Sequence, residues 1–567
     1  MRLGANALKA SQIALQVTGQ NIANANNPDY IREEVRLVTG PTQQLGGLLL
    51  GTGVRVDAVL QKLDEFLEAR LRGAISERAS YEAQEEVYVR LEQAIGELSD
   101  TDLSTLLNGF FSSISEIMNQ PDSASVRNLA VLQGITLTSN INSLAERVAQ
   151  MRGDVNRRVE TIGEQINQLT EEIRVLNVRI SQTEGGDVSR SDAVGLRDRR
   201  VAALSKLAEL IDIRVEEQPG AGVAVYSGGE YLVFEGVRRE VEVVRVSDRG
   251  VPVAEIRLAE TDSPLGTTAG ALFGLMQSRD EVLGGFLDKL DAFARTLAFE
   301  FNRVYSCGQG LNGFDELTSD CAVDANNLPL NRAGLPDTPA SGSFRILLYD
   351  KQTGLTQTTE IVVDLDGLGE GDMTLASLAR ALDAVDGISA QADVTGKLTI
   401  RSDSANQQFA FADDTSGVLA ALGMNTFFVG TTARGLNVNP VLIDDPTKFA
   451  ASRSGIGTGT ENLAADENGA PRLAAFLDRP IASQNGATIA VLYDRLVSKT
   501  AQDSATTQAF AEGARTYEGT LSAQKAATSG VNLDEEAIDL MVYQQNYLAS
   551  ARYISILHDL LRLIAEI

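Results

Sequence analysis

The apolar positions at the two ends of this chain both repeat every seven residues. Near the start the repeat runs through Leu8, Leu15 and Ile22. At the other end it runs through Leu533, Leu540, Tyr547, Ile554 and Leu561, with a second stripe that includes Leu557 and Ile564. Such a repeat keeps one face of a helix against a partner helix. We therefore predict that the terminal helices form an assembly interface through these residues. This is more typical of an assembly protein than of an enzyme.

The last helix also has a marked start. Asn532 is followed three residues later by Glu535, an Asn/Glu version of the capping box. Glu535 and Glu536 lie in the first turn, where the helix dipole favours negative charge. The pattern predicts a helix that begins after residue 532.

A longer helical pattern lies in the first half of the chain. Apolar residues alternate at spacings of four and three from Leu137 to Ile180, with one skip between Met151 and Val159. A rod-like coiled coil and a long helix in an ordinary bundle both fit this pattern, and either needs a helical partner along its length. Residues 192–211 and 275–305 are candidate partners. Residues 3–23 and 62–98 are further helices.

Elsewhere the apolar period changes to two, which predicts strands. A hairpin is expected at residues 223–226 and 231–234, joined through Gly228-Gly229. Residues 307–480 are richer in Pro, Gly, Asn and Thr. They carry strand patterns at 344–349, 361–365, 398–401 and 409–411 and a short helix at 374–385. Residues 452–472 read as an exposed linker.

These patterns predict an α+β multidomain fold. Its core is a long α-helical coiled coil or bundle formed by the N- and C-terminal regions, with one or more β-rich inserted outer domains. The first predicted segment is an N-terminal axial helix and extended segment at 1–61, which pairs with 515–567. It is followed by a long helical domain at 62–212, a β-hairpin region at 213–269 and a return helix of the helical domain at 270–306. The last two segments are an α+β outer insert at 307–480 and the C-terminal helices at 485–567, with the axial heptad helix from 532.

Composition excludes several classes of function. The formal net charge of −28 argues against nucleic-acid binding, because phosphates would repel such a surface. No run of 18 apolar residues occurs, so membrane insertion is not expected. The N-terminus lacks the pattern of a cleaved secretory signal. The protein is therefore expected to stay in the cytoplasm or to leave by a route that needs no such signal.

The sequence offers no constellation of catalytic or metal-binding residues. His558 is the sole histidine, so neither an HExxH zinc site nor a triad outside the last helix can form. We expect no enzyme activity, no metal and no cofactor. Cys307 and Cys321 flank a Gly/Asn-rich loop. The sequence leaves open a disulfide between them in an extracellular protein and two unpaired thiols.

Both ends resemble the signatures of one protein family. Residues 14–30, ALQVTGQNIANANNPDY, resemble the N-terminal signature of bacterial flagellar rod, hook and hook-associated axial proteins. Residues 529–537, SGVNLDEEA, with YQQNY at 543–547, resemble their C-terminal signature. The long helices after residue 120 resemble the hook-associated members more than the β-rich rod and hook proteins. Family members usually have several more residues before the first helix, so a native start upstream of Met1 is one expectation.

The resemblance implies a structural, extracellular subunit of the flagellum at the hook–filament junction, required for motility. It implies export through the flagellar type III apparatus without a cleaved signal peptide. Its expected partners are like subunits in a ring, the hook protein, the next junction protein on the filament side, a flagellar export chaperone and the export apparatus. We expect the terminal helices to be largely disordered in the free subunit and to fold on assembly. The insert is expected to project outward, so that deletion of 320–470 leaves ring formation mostly intact.

Three alternatives remain open at this stage. The chain could be a hook or distal-rod subunit of the same family, which a structure without long helices after residue 100 would favour. It could carry an enzyme, such as a glycan-processing domain, as its insert. It could also be a cytoplasmic coiled-coil scaffold, which would be absent from purified flagella.

Overall fold

The computed structural model describes the chain except for residues 1, 28–29, 46–47, 97–101, 185–192, 369–370, 453–455, 457–468 and 566–567. The predicted linker 452–472 lies mostly outside the described residues. The chain divides into two compact units. Unit 1 contains Met1–Tyr88, Gly153–Asp280 and Ser504–Ile567, and unit 2 contains Val89–Arg152 and Glu281–Asp503. The predicted segment 62–212 thus contributes to both units. Among the described helices, none is both long and apolar enough to cross a bilayer.

Long helices dominate both units, and those at residues 3–23, 62–98 and 192–211 are confirmed to within a few residues. The predicted helix 275–305 is interrupted by a π-helical turn at Ser278–Leu283. The helices are α1 (Arg2–Ala23), α2 (Glu65–Ile95), α3 (Leu103–Asn119), α4 (Ala124–Thr183), α5 (Val194–Leu210), α6 (Gly270–Gln277), α7 (Gly284–Tyr305), α8 (Leu375–Asp383), α9 (Val418–Leu422), α10 (Pro440–Asp444), α11 (Ala470–Ala474), α12 (Ile489–Ser529) and α13 (Leu533–Ala565).

The strands form small antiparallel sheets. They are β1 (Glu33–Thr39), β2 (Thr42–Leu45), β3 (Leu48–Gly51), β4 (Val54–Gln61), β5 (Arg214–Glu217), β6 (Val223–Ser227), β7 (Glu230–Phe234), β8 (Val237–Arg238), β9 (Val241–Asp248), β10 (Val251–Leu258), β11 (Ser263–Pro264), β12 (Glu316–Thr318), β13 (Gly342–Asp350), β14 (Thr356–Val363), β15 (Ile388–Ala392), β16 (Leu398–Ser402), β17 (Gln407–Ala412), β18 (Phe428–Val429) and β19 (Asn437–Val438). With the long terminal helices, these sheets confirm the predicted α+β fold class.

In unit 1 the sheets are β1–β4, β2–β3, β5–β6–β7–β8 and β9–β10–β11. The predicted hairpin forms between β6 and β7, where Gly228 and Gly229 both have positive φ angles of 57° and 87°. Such a turn matches the twist of the flanking strands, and glycine adopts it without steric cost. The Gly228-Gly229 pair therefore marks this hairpin in the sequence because the turn requires positive φ angles.

The part of α4 in unit 1 packs against strands as well as helices. The Asn167 side chain bonds the backbone N and O of Val241 at 2.9 and 2.7 Å, and Asn177 bonds Val223 in the same way. A Cβ atom on Gly163 would lie 3.2 Å from Val243. Strands therefore join helices in covering this part of α4, and a helical partner along its whole length stays a prediction. Its apolar spacing marks a buried stripe without specifying what covers it.

Unit 2 has an aromatic core and a separate β-rich core. Phe301 of α7 packs against Phe110 and Phe111 of α3 and against Phe427, Phe428 and Phe476, with ring centroids 5.3–6.0 Å apart. The β-rich core lies between the sheets β12–β16–β15 and β14–β13–β17 and helix α8. The residues of the predicted insert therefore belong to two different cores.

Candidate assembly interface

Helices α1 and α13 pair in unit 1 in antiparallel orientation. Gly4 at the start of α1 lies against Tyr553 and Ile554, whereas Asn21 near its end bonds Glu536. The buried residues of α1 that share this heptad spacing are small or polar: Gly4, Ser11, Ala14, Thr18 and Asn21. A Cβ atom on Gly4 would lie 2.8 Å from Cγ1 of Ile554. The helix backbones approach this closely because the stripe carries no large side chains.

The predicted apolar residues of α1 flank this stripe. Leu8, Leu15 and Ile22 are each half-buried. Each lies one position after a residue with the heptad spacing of the stripe, namely Ala7, Ala14 and Asn21. The Nδ2 atom of Asn6 donates to the backbone of Thr52 at 3.0 Å, on the side where α1 meets β4 and the turn before it. The large side chains therefore lie at the edge of the seam, and small residues fill its centre.

The predicted residues of α13 fall into two groups. Leu540, Tyr547, Ile554 and Leu557 are half-buried on the side that faces α1. Leu533, Leu561 and Ile564 are exposed. Because Ile554 already lies against Gly4, two residues from the beginning of α1, Leu561 and Ile564 extend farther than α1 reaches. In the described chain, Leu533, Leu561 and Ile564 are therefore 51%, 49% and 69% exposed.

A buried polar network connects the two ends of the chain. Asn21 is 1% exposed and Glu536 is 2% exposed. The Nδ2 atom of Asn21 donates to Oε2 of Glu536 at 3.1 Å, and its Oδ1 atom accepts from the Tyr30 hydroxyl at 2.8 Å. Arg32 donates through Nε to Oε1 of Glu536 and through Nη1 to Glu535, both at 2.7 Å. The carboxylate of Glu535 is thus bonded to Arg32, while Asn532 caps the helix by accepting from the backbone of Asp534.

Burial and charge shift the acid–base properties of this network. Burial alone would lower the pKa of Arg32, but hydrogen bonds and the charges of Glu535 and Glu536 outweigh it and raise that pKa. Burial, followed by the charges of nearby carboxylates, raises the pKa of Tyr30. Burial and then the charge of Asp198 raise the pKa of Glu33 to about 7. Arg32 therefore stays charged, and the tyrosine stays a hydrogen-bond donor.

A second helix pair, α2 with α12, reinforces unit 1. Leu67, Leu71 and Ala74 of α2 form a small core with Leu521 of α12. Nε of Arg515 bonds Oε1 of Glu82 at 2.8 Å, and its Nη2 atom bonds Glu85. The segment that immediately precedes α13 is therefore fixed by both apolar packing and ion pairs.

Helix α13 carries a second apolar face opposite α1. At 100° per residue, the side chains of this face point away from those that meet α1. Each is between 46% and 59% exposed: Ile538, Met541, Val542, Leu548, Ile556, Leu560 and Leu563. We call this set the outward face of α13. These seven side chains form one apolar strip along the helix, which makes it a candidate interaction surface.

The two cysteines are not bonded to each other in this structure. The thiol of Cys307 is buried and lies 3.3 Å from the backbone oxygen of Arg303. Burial, with the charge of Asp320 second, raises the pKa of Cys321 to about 11. Cys321 is therefore a weak nucleophile at neutral pH, and a disulfide between the two stays a prediction.

A cluster of three carboxylates lies between β14 and α8. Oxygen atoms of Asp364, Asp366 and Asp372 lie within 4.8 Å of one another. Asp364 and Asp366 are exposed, and exposed acidic clusters are common without a metal. The cluster therefore supports no functional conclusion.

Sequence reasoning missed three parts of this interface. The small-residue stripe of α1 gives no hydrophobic signal. The network around Asn21 joins residues that are 515 positions apart, so no local pattern contains it. The outward face could have been found, because Ile538, Val542, Ile556, Leu560 and Leu563 recur at helical spacing.

Comparisons with known proteins agree with this architecture. Residues 88–318 match the family model described as the flagellar hook-associated protein FlgK helical domain. Residues 524–567 match the model of the flagellar basal body rod FlgEFG protein C-terminal region. Flagellar hook-associated protein 1 of Escherichia coli (strain K12) is 24% identical over 568 residues, which cover 96% of this chain and 95% of that protein.

The protein of the same name from Bacillus subtilis (strain 168) is 24% identical over 454 residues, which cover 74% of this chain and 83% of that protein. A solved structure, the flagellar hook junction protein FlgK from Burkholderia pseudomallei, has a TM-score of 0.52 and 15% identity. The match covers 81% of this chain and 100% of the chain in that structure. At that identity the likeness shows a shared fold.

Proposed function

Because this chain belongs to the flagellar hook-associated protein family whose helical-domain model it matches, we propose that it forms the junction between the flagellar hook and filament. It is a structural protein of the bacterial flagellum. It assembles through its paired terminal helices, with the outward face of α13 as the contact surface. No catalytic role is part of this proposal.

The outward face of α13 is the observation that carries the proposal. A helix with apolar stripes on two opposite faces reaches its full stability only when both are covered. One stripe is covered by α1, while the residues of the other stay about half exposed in the single chain. Burial of each such side chain stabilises a complex by roughly 1.5–3 kcal/mol before the costs of association. Repeated neighbouring subunits would cover the whole face.

The proposed partners follow from this geometry. Like subunits in a ring need a heterologous contact, in which one surface of each copy meets a different surface of the next. The outward face of α13, together with Leu561 and Ile564, provides one such surface. The hook protein on one side of the ring and the next junction protein on the other are the proposed axial neighbours. The formal net charge of −28 keeps the subunit soluble before assembly.

The location we propose is extracellular, after export through the flagellar type III apparatus without signal cleavage. An export chaperone that binds the C-terminal region would cover the outward face of α13 until assembly. Without such cover, exposed apolar side chains promote aggregation. Purified full-length protein should therefore be more soluble when its cognate chaperone is present, and a variant lacking 533–567 should not depend on the chaperone.

The terminal pair is proposed to gain its full stability only on assembly. The free chain would leave the outward face in water, and the centre of the α1 seam buries small side chains that contribute little apolar area. Amide hydrogen exchange should therefore be faster in α1 and α13 of the monomer than in isolated flagella. Equal, strong protection in a verified monomer would contradict this part of the proposal.

The decisive experiment is the phenotype of cells that lack this protein. A junction subunit predicts complete hooks without filaments, and filament subunits lost to the medium. A hook or distal-rod subunit, the alternative within the family, predicts that the hook itself is missing. Filaments of normal length on mutant cells would refute both. The protein should also be found in sheared, purified flagella, where a cytoplasmic scaffold would be absent.

A further inference from the structure

Side-chain hydrogen bonding across the α1–α13 seam is concentrated at one end. In the described chain, Asn21 is the residue of the buried stripe whose side chain bonds α13. It also accepts from the backbone N of Glu33 at 3.0 Å and donates to the backbone O of Glu33 at 3.0 Å. Its amide is thus fully bonded. The rest of the stripe, from Gly4 to Thr18, offers small side chains to α13.

A seam of this kind does not itself select one alignment of the two helices. The apolar heptad of α13 continues past Ile554 to Leu561, which is exposed. If α1 moved seven residues toward the end of α13, Gly4 would meet Leu561 and Ser11 would meet Ile554. Thr18 would meet Tyr547, whereas Ala14 would meet Ser550, so three of the four small residues would again face an apolar or aromatic side chain. Apolar burial therefore differs little between the observed alignment and the shifted one.

The polar network, in contrast, exists in one alignment only. A shift of seven residues moves α1 by about 10 Å along α13, which separates Asn21 from Glu536. The carboxylate of Glu536 would lose the Asn21 amide, and Asn21 would face Tyr543 in the seam. A buried polar group that loses its partner costs far more than an exposed one. The network therefore penalises the shifted alignment specifically.

We infer that the buried pair Asn21–Glu536, held in place by Tyr30 and Arg32, sets the register in which the two terminal helices pair. Tyr30 holds the Asn21 oxygen and Arg32 holds the Glu536 carboxylate, so both members are oriented by a second bond. A single buried polar residue fixes the alignment of coiled coils in the same way. This inference concerns pairing within one chain and does not rest on the proposed place in the flagellum.

Disulfide trapping in the purified full-length chain can count each register. Cys307 and Cys321 are first replaced by serine. The reporter of the observed register combines Gly4→Cys with Ile554→Cys, because a Cβ on Gly4 lies 2.8 Å from Ile554 Cγ1, within disulfide reach. The reporter of the shifted register combines Ser11→Cys with Ile554→Cys, which lie about 10 Å out of register in this structure. Trapping also detects helices that pair only transiently.

The otherwise unchanged chain should yield the Gly4–Ile554 product almost alone. Asn21→Leu should lower the ratio of observed-register to shifted-register product at least about tenfold, which corresponds to about 1.4 kcal/mol. Glu536→Gln keeps the side-chain size and should shift the ratio in the same direction by less. Thr18→Val is the matched control, since Thr18 is equally buried on the same stripe, and should leave the ratio unchanged.

Two results would overturn the inference. One is a product ratio in both Asn21→Leu and Glu536→Gln equal to that of the Thr18→Val control. The other is the loss of both products in both variants, which would mean that the network holds the helices together without choosing between alignments. Neither readout needs a flagellum, so failure of the proposed function would leave this test intact.

Discussion

Gly4 of the first helix lies directly against Ile554 of the last, because the space that a Cβ atom on Gly4 would occupy lies 2.8 Å from Cγ1 of Ile554. Tyr553 lies at 2.9 Å from the same point. Glycine is unfavourable inside a helix, so its presence here reflects packing. The two helices are as close as they are because one residue of the seam has no side chain.

We predict opposite effects for alanine at two glycines of α1. Gly19→Ala adds a methyl group in open space and should stabilise the helix by about 0.5–1 kcal/mol. Gly4→Ala gains the same helix propensity, but overpacking costs about 1–3 kcal/mol, so the net effect should be destabilising. Hydrogen-exchange rates of α1 peptides should fall in the first variant and rise in the second. The same direction in both would show that the seam is looser than described.

The two apolar faces of α13 should tolerate charge differently. Leu548→Asp and Ile556→Asp place a carboxylate on the outward face, which is exposed in the single chain. The purified variants should therefore fold as the unchanged chain does, yet fail to enter flagella, because assembly would bury the charge. Quantitative immunoblotting of sheared flagella measures incorporation.

Leu540→Asp and Ile554→Asp place the charge against α1 and should impair both helix pairing and incorporation. Gln544→Asp is the matched control, since it lies on a polar flank of the same helix and adds the same charge. Normal incorporation of the Leu548 and Ile556 variants would show that the outward face stays in water in the polymer.

The positions of most helices and strands could be predicted from the sequence, because apolar period and turn residues are local signals. The pairing of the two ends could also be predicted, since each end carries half of one seam. The residues at the centre of that seam could not be predicted. Gly4 and Ala14 carry no strong apolar signal, whereas Leu8 and Leu15 carry one and are therefore predicted in their place. The bond from Asn21 to Glu536 exists only after both ends have met.

Glu33 should make the stability of unit 1 depend on pH. Burial and the charge of Asp198 raise its folded-state pKa to about 7, from an ordinary value of 4.5. The protonated form is therefore favoured in the folded state. The stability it contributes is full below about pH 4.5 and is lost as the pH rises through 7. Near neutral pH, the ionised carboxylate also meets the negative charge of Asp198.

Glu33→Gln should remove this dependence. The variant should match the unchanged chain at pH 4 and resist denaturant better at pH 8, as followed by hydrogen exchange in α1 and β1. Glu34→Gln is a neighbouring control at an exposed position and should leave the profile unchanged. A Glu33→Gln variant that is less stable at every pH would show that the carboxyl group is needed for a hydrogen bond.

The β-rich part of unit 2 should be removable, but the removable segment is shorter than the segment 320–470 predicted from the sequence. The backbone N of Cys321 bonds the backbone O of Leu422 at 3.1 Å, so a short Gly-Ser linker can replace residues 322–421 without moving the flanking chain. Phe427 and Phe428, which pack on Phe301, stay in place. We expect this variant to fold and to enter flagella.

Deletion of 320–470 also removes Phe427, Phe428 and Phe449 from the aromatic core and should not fold, because the loss of one buried Phe side chain costs about 3–5 kcal/mol. Circular dichroism melting and the flagellar immunoblot distinguish the two deletions. If both fold and assemble equally well, the aromatic residues after 422 are not needed to hold α3 and α7 together.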